Sequence, residues 1–242
     1  MKFKDILFVC GDTMRTKAYL QAMIKADYLP GRCLIMTQMR KDLETKVINK
    51  TEPKKNEPYF DADAPLLWLL QQAKIPYGFL ESKDVNSNIV TEALKTAPEP
   101  YIIYSGYGGY ILKSNLFQIG KRYIHVHAGI LPKYRGSTTA YYSILQEGYI
   151  GASAIFLEEK LDAGDIICEN KFPLPPSDVN IDYIYEPYTR SQVLVQALKQ
   201  YKEQGRFMAH RQSQDEAETY YIIHPVLKHL AILKVTGQGE KV

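Results

Sequence analysis

The chain has 242 residues, enough for one α/β domain with a sizeable core and a short appendage. Its 30 Lys and Arg against 27 Asp and Glu leave a net charge of +3, scattered along the sequence, which argues against nucleic acid as a partner. No apolar run reaches the ~18 residues of a membrane span, and the charged start MKFKDILFVCGD interrupts any signal-peptide stretch, so a cytoplasmic protein with no membrane partner is expected.

Ile6–Cys10 form an apolar run closed by Gly11-Asp12, and a helical pattern follows from Thr13 to Ala26. Strand, tight loop and helix open an α/β unit. Gly31-Arg32 leads into a second apolar run, Cys33–Met36. Residues 40–59 are polar and Lys-rich, with Pro53 and Pro58, and read as a surface excursion. Asp63 is predicted to cap a helix to Lys74, with Pro65 in its first turn. Asn86 or Ser87 starts another through Ala97, ended by Pro98 and Pro100. Tyr101–Tyr104 and Tyr123–Val126 read as strands covered on both faces. Ser137 is predicted to cap a helix to Gln146 that Gly148 ends, and Ile150–Leu157 and Ile166–Cys168 read as further strands.

Strand and helix alternate as far as about residue 147, which predicts an α/β fold with a mostly parallel, Rossmann-like sheet and helices on both faces. After Pro173 the pattern changes to a Pro-rich linker, a helix over Tyr188–Gln204, a strand-like YYII and a helix opening at Pro225. This C-terminal helical and strand extension is too short for its own core. It is expected to pack back on the core or to build a subunit interface, as in a homodimer. Cys10, Cys33 and Cys168 are odd in number and lack a CxxC spacing, so they read as small buried thiols of a reducing compartment.

The densest group of unusual residues is Tyr123–Gly136, YIHVHAGILPKYRG. His125 and His127 stand two apart at the end of an apolar strand, so their side chains share a face. Open α/β sheets keep their sites at such strand ends. A strand-end histidine can also simply bond a loop carbonyl. The second group, Leu157–Asp165, LEEKLDAGD, follows a strand and holds four carboxylates, with Gly164 permitting a tight turn. Taken alone it reads as a solvated acidic loop. Beside a histidine that moves protons, one of its carboxylates could hold the ring and favour the charged form.

Together the two groups resemble the folate-dependent formyltransferase family, and most of all its nucleotide-sugar N-formyltransferases. Members carry an Asn-x-His at a strand end, an SLLP-x-[WY]-RG loop, and then an LD-x-GD or LD-x-GP loop. Here His127 takes the place of the family's His, Ile130–Gly136 (ILPKYRG) that of the loop, and Leu161–Asp165 (LDAGD) that of the acidic segment. Residues 107–113, YGGYILK, are similar to the family's AYGLILP stretch. The family's Asn, taken to donate to the oxyanion of the tetrahedral intermediate, is His125 in this chain; an imidazole N–H can make the same bond.

The resemblance implies a formyltransferase catalytic domain over residues 1–175, with residues 176–242 as the extension. It implies attack of an amine on the formyl carbon of N10-formyltetrahydrofolate, without a metal. His127 would carry the proton, Asp162 would orient and charge it, and His125 would face the oxyanion. Tyr107, Gly108, Ile111, Leu157, Leu161 and Asp162 would line the folate pocket, and Tyr134, Arg135 and Gly136 would form the substrate loop. Elimination on size makes a nucleotide-linked amino sugar the expected acceptor. Three alternatives remain open: a formyltetrahydrofolate hydrolase that activates water with the same pair, a metal enzyme with His125, His127 and Asp162 as a facial triad, and an inert binding relative in which His125 has cost the activity.

Overall fold

The computed structural model describes residues 1–48, 57–213 and 217–237. By packing the chain divides into two units, Met1–His125 and Val126–Val242. In the first, β1 (Lys2–Cys10), β2 (Leu29–Met36), β3 (Tyr77–Leu80), β4 (Tyr101–Ser105) and β5 (Arg122–His127, whose last two residues enter the second unit) are parallel and ordered β3-β2-β1-β4-β5. This is the Rossmann-like winding, in which the chain builds outward from β1 in one direction and then in the other. The connections carry α1 (Met14–Ala26), α2 (Arg40–Ile48), α3 (Leu66–Gln72), α4 (Asn88–Thr96) and the single turn α5 (Ser114–Phe117). Ile6 to Cys10 are all buried although their side chains alternate in direction, so both faces of β1 are covered.

Local chemistry explains most of the boundaries. The Thr13 side chain accepts from the Thr16 N–H and caps α1, and Asp27 closes it in the left-handed conformation at φ 57°. Asp63 does not cap α3: Pro65 holds the cap position, and the Asp63 N–H is itself bonded to the Asp61 carboxylate. The expected excursion over residues 40–59 begins with α2, and its stretch 49–56, with Pro53, lies outside the described residues. Strand β3 and the turn α5 were not foreseen, being too short to display a period. Cys10 and Cys33 are buried and free, and burial pushes the Cys168 thiol up to about 12. Among the described residues no helix is long and apolar enough to cross a membrane.

A bidentate ion pair joins β2 to the turn before β4: Arg32 Nε lies 2.6 Å from Glu99 Oε1, and its Nη2 lies 2.9 Å from Oε2. The guanidinium's hydrogen bonds hold the buried Glu99 carboxyl below its ordinary value. A depressed carboxyl gives stability that is present above its unfolded value and is lost as pH falls through the folded one. Glu99→Gln should therefore cost about 1–2 kcal/mol at pH 7. In chemical denaturation the gap between variant and wild type should hold from pH 8 to about pH 5 and close below about pH 4. A gap that did not depend on pH would mean that the charge contributes nothing.

The second unit contains the antiparallel pair β7 (Ile150–Phe156) and β8 (Ile166–Phe172). Helix α6 (Thr139–Glu147) leads into β7, with Gly148 as its left-handed cap at φ 72°. A π-helical turn, Ile181–Tyr185, runs into α7 (Glu186–Gln204), which packs on β7 and β8. Helix α8 (Pro225–Val235) packs on α6. A two-residue parallel ladder joins β6 (Arg135–Gly136) to β9 (Thr219–Tyr220). The part of the chain after residue 175 thus packs, within this unit, on elements that precede it.

Candidate active site

His127 is the last residue of β5 and is 5% exposed. Arg190 of α7 fixes the strand end by donating from Nε to the Val126 carbonyl at 2.7 Å. The His127 Nε2 lies 2.6 Å from the Tyr134 carbonyl oxygen. A carbonyl only accepts, so Nε2 carries a hydrogen. The Thr139 hydroxyl, 3.4 Å from the same nitrogen, donates to the Ala128 carbonyl and so presents a lone pair to the ring. In the neutral ring the free lone pair is therefore on Nδ1, which faces Asp162 Oδ2 at 3.4 Å. Both sequence readings of this histidine meet in one ring: one nitrogen is tied to a loop carbonyl, and the other is turned to a carboxylate.

Of the four carboxylates in the acidic loop, only Asp162 is buried; Glu158 and Glu159 are exposed and Asp165 is half-buried. Asp162 has a left-handed backbone, φ 50°, which Asp and Asn adopt more readily than most residues. Its Oδ2 accepts from the Gly136 N–H at 2.9 Å. Two glycines permit this approach. A Cβ on Gly164 would lie 1.8 Å from the Phe156 carbonyl oxygen, and one on Gly136, φ 100°, would lie 2.0 Å from that of Tyr220. The site therefore has a proton-accepting nitrogen with a buried carboxylate beside it, which is an acid–base pair.

The structure brings His127, Asp162 and Gly136 together. His125 lies half-buried on β5, two residues before His127 and on the same side of the strand. Tyr134 is fully buried, and its hydroxyl donates to Gln146 Oε1 at 2.9 Å. Arg135 is 4% exposed and donates through two nitrogens to Gln212. The side chains of Tyr134 and Arg135 are thus turned inward and shape the loop. In the first unit, Tyr107 donates its hydroxyl to the Met36 carbonyl at 3.1 Å, and Arg15 holds the start of the same loop through Ser105 and Gly106. Ile111 is 64% exposed, and Gly108 has open space where a side chain would be. In the second unit Leu161 is exposed beside the buried Asp162, and Leu157 packs on Leu131, Ile155 and Ile166.

Sequence reasoning missed Thr139 and Gln212. Thr139 sits one residue after the left-handed Thr138, in a helix start attributed to Ser137, so the pattern TTA held a usable signal. Gln212 had none, as one Gln among polar residues. Among the described residues no group of three or more His, Cys, Asp or Glu is arranged to hold a metal ion.

A family profile described as formyl transferase matches residues 6–196. A methionyl-tRNA formyltransferase from Finegoldia magna is 30% identical over 129 residues, which is 53% of this chain and 41% of that protein. The match thus spans less than half the length of this curated relative. Among solved structures, a sugar N-formyltransferase from Shewanella sp. superposes with a TM-score of 0.58 at 15% identity, covering 96% of this chain and 88% of the other. A sugar 3N-formyl transferase, solved in the presence of dTDP and 5-N-formyl-THF, does so with a TM-score of 0.52 at 15% identity over 90% and 69%. At such identity the likeness is one of fold.

Proposed function

We propose that this chain, which belongs to the formyl transferase family, moves a formyl group from N10-formyltetrahydrofolate to the amine of a nucleotide-linked amino sugar. The observation that carries the reading is the buried His127–Asp162 pair, with Nδ1 and Oδ2 3.4 Å apart at the end of β5. The folate is a co-substrate that supplies an electrophilic formyl carbon. By the likeness to the family's motifs, folate contacts fall on Tyr107, Gly108 and the exposed Ile111 in the first unit, and on Leu157, the exposed Leu161 and Asp162 in the second.

In the reaction the acceptor nitrogen bonds to the formyl carbon and the bond from that carbon to N10 breaks. The acceptor loses a proton and N10 gains one, leaving a formamide and tetrahydrofolate. His127 Nδ1 takes the first proton and returns it, while Nε2 stays bonded to the Tyr134 carbonyl and keeps the ring in place. Asp162 stabilises the imidazolium that exists between the two transfers. His125 would offer an N–H to the oxyanion.

The amino-sugar reading is supported by a fold shared along 96% of this chain with a sugar N-formyltransferase. Incubating the protein with N10-formyltetrahydrofolate and a panel of nucleotide-linked amino sugars tests it, with mass spectrometry scoring the gain of one CO. Formylation of one sugar is the expected result. Formate released at the same rate with and without amine would make the protein a hydrolase, and formylation of methionyl-tRNA alone would move the acceptor class.

The role of His125 has its own test. His125→Asn should keep substantial activity, because an amide donates as an imidazole does. His125→Ala should lose about 2–4 kcal/mol of transition-state stabilisation, the usual cost of deleting an oxyanion donor. Equal kcat in wild type and the Ala variant would make His125 structural.

A further inference from the structure

The part of the chain beyond residue 175 reaches into the site through one side chain. Gln212 is 8% exposed and uses the whole hydrogen-bonding capacity of its amide. Its Oε1 accepts from Arg135 Nε at 3.1 Å and from Arg135 Nη2 at 2.7 Å. Its Nε2 donates to the Asp162 carbonyl at 2.8 Å and to the Gly164 carbonyl at 2.7 Å. The backbone on either side is fixed as well. His210 and Ile166 exchange two bonds, at 2.9 and 3.0 Å, and the Arg135 N–H donates to the Glu218 carbonyl at 3.0 Å.

We propose that Gln212 is a positioning residue for the His127–Asp162 pair, clamping the left-handed turn at Asp162 to the Arg135–Gly136 loop. The inference rests on the reading of that pair as the proton-transfer machinery. The physical case is geometric. Asp162 and Gly136 come from separate loops, and the bond between Oδ2 and the Gly136 N–H fixes the carboxylate only if both loops are fixed. Gln212 bonds to both. It holds the backbone carbonyl of Asp162 itself, and with it the conformation that aims the carboxylate at Nδ1. A neutral amide suits this place. A carboxylate could hold Arg135 but has no hydrogen to offer the two carbonyls, and it would add a second negative charge near Asp162.

Two variants of the full chain test this, each labelled with 15N-histidine and read first without substrate. Gln212→Met deletes all four bonds. Gln212→Glu keeps the acceptors for Arg135, so it holds the loop if the Met variant fails to fold. In both, the ring 15N signals of His127 should move toward those seen in Asp162→Asn, and superposition on the wild-type signals would overturn the proposal. In formyl transfer to the panel sugar that gains CO, either variant should lose kcat by about 10- to 100-fold, as displaced catalytic groups do, with little change in KM. In the Asp162→Asn background the same substitutions should cost almost nothing further, because one interaction has already been removed. An equal loss in both backgrounds would mean that Gln212 acts by general stability, and the proposal falls while the reading of the pair stands. If Asp162→Asn itself leaves transfer unchanged, the reading of the pair fails first and takes the proposal with it.

Discussion

Replacing His127 by alanine should lower formyl transfer by at least ~100-fold, the usual weight of a positioned acid–base group, and should leave the fold intact. In the proposed reaction this ring moves the proton between the acceptor nitrogen and N10, and in its neutral form the free lone pair sits on the nitrogen beside Asp162. There is a structural loss as well: the Tyr134 carbonyl loses one partner, a cost to stability of about 1–3 kcal/mol. His127→Gln separates the two effects. Its amide can still donate to Tyr134, so it should recover much of the stability, but it cannot exchange a proton at pH 7 and should be as inactive as the alanine variant. Steady-state rates and thermal melts on the three proteins decide the matter. A folded His127→Ala protein with more than about a tenth of wild-type kcat would remove the residue from the chemistry.

The second large effect is expected at Asp162. Asparagine has the same size, accepts the left-handed conformation at φ 50° and can still receive the Gly136 N–H. The substitution therefore removes charge and little else. Transfer should drop by about 100- to 10,000-fold, the range for losing the carboxylate behind a catalytic histidine, and the pH–rate profile between pH 5.5 and 9 should change shape. A profile that overlays the wild type's would reduce Asp162 to a turn residue and direct attention to Asp165. Alanine is a poorer probe, since it adds about 1–3 kcal/mol of backbone strain to the loss of charge.

The parts of the site that were legible in the sequence are those whose chemistry is local. The strand, loop and helix of Ile6–Ala26 follow from an apolar run, Gly11-Asp12 and a Thr13 cap, all adjacent, and the structure repeats them. His127 and Asp162 were visible because each stands in a short segment of unusual residue types. What stayed hidden depends on contacts between distant positions. Arg135 looked like a residue for substrate, and nothing nearby indicates that it is buried; its partner is 77 residues further on. Asp63 is an exception of a local kind: it looked like a helix cap, but the Asp61 carboxylate two residues earlier takes its N–H. Gln212 has no local signature at all, because its meaning lies in the two carbonyls and the guanidinium that surround it.

The ladder between β6 and β9 has a consequence for the order in which the molecule is made. Arg135 pairs with Thr219, a separation of 219 − 135 = 84 residues, and closing so long a loop is entropically slow compared with forming the local turns of each unit. During synthesis β1 to β4 can pair as soon as they emerge, since each contact they need is already outside the ribosome. The loop that carries Gly136 and faces Asp162 has no β9 to lie against until residue 220 has been added. A nascent chain arrested short of that point should therefore hold a protected first unit and an unprotected Gly136 amide, and be unable to transfer a formyl group. Hydrogen exchange on stalled ribosome complexes would show the Gly136 loop becoming ordered only after the first unit.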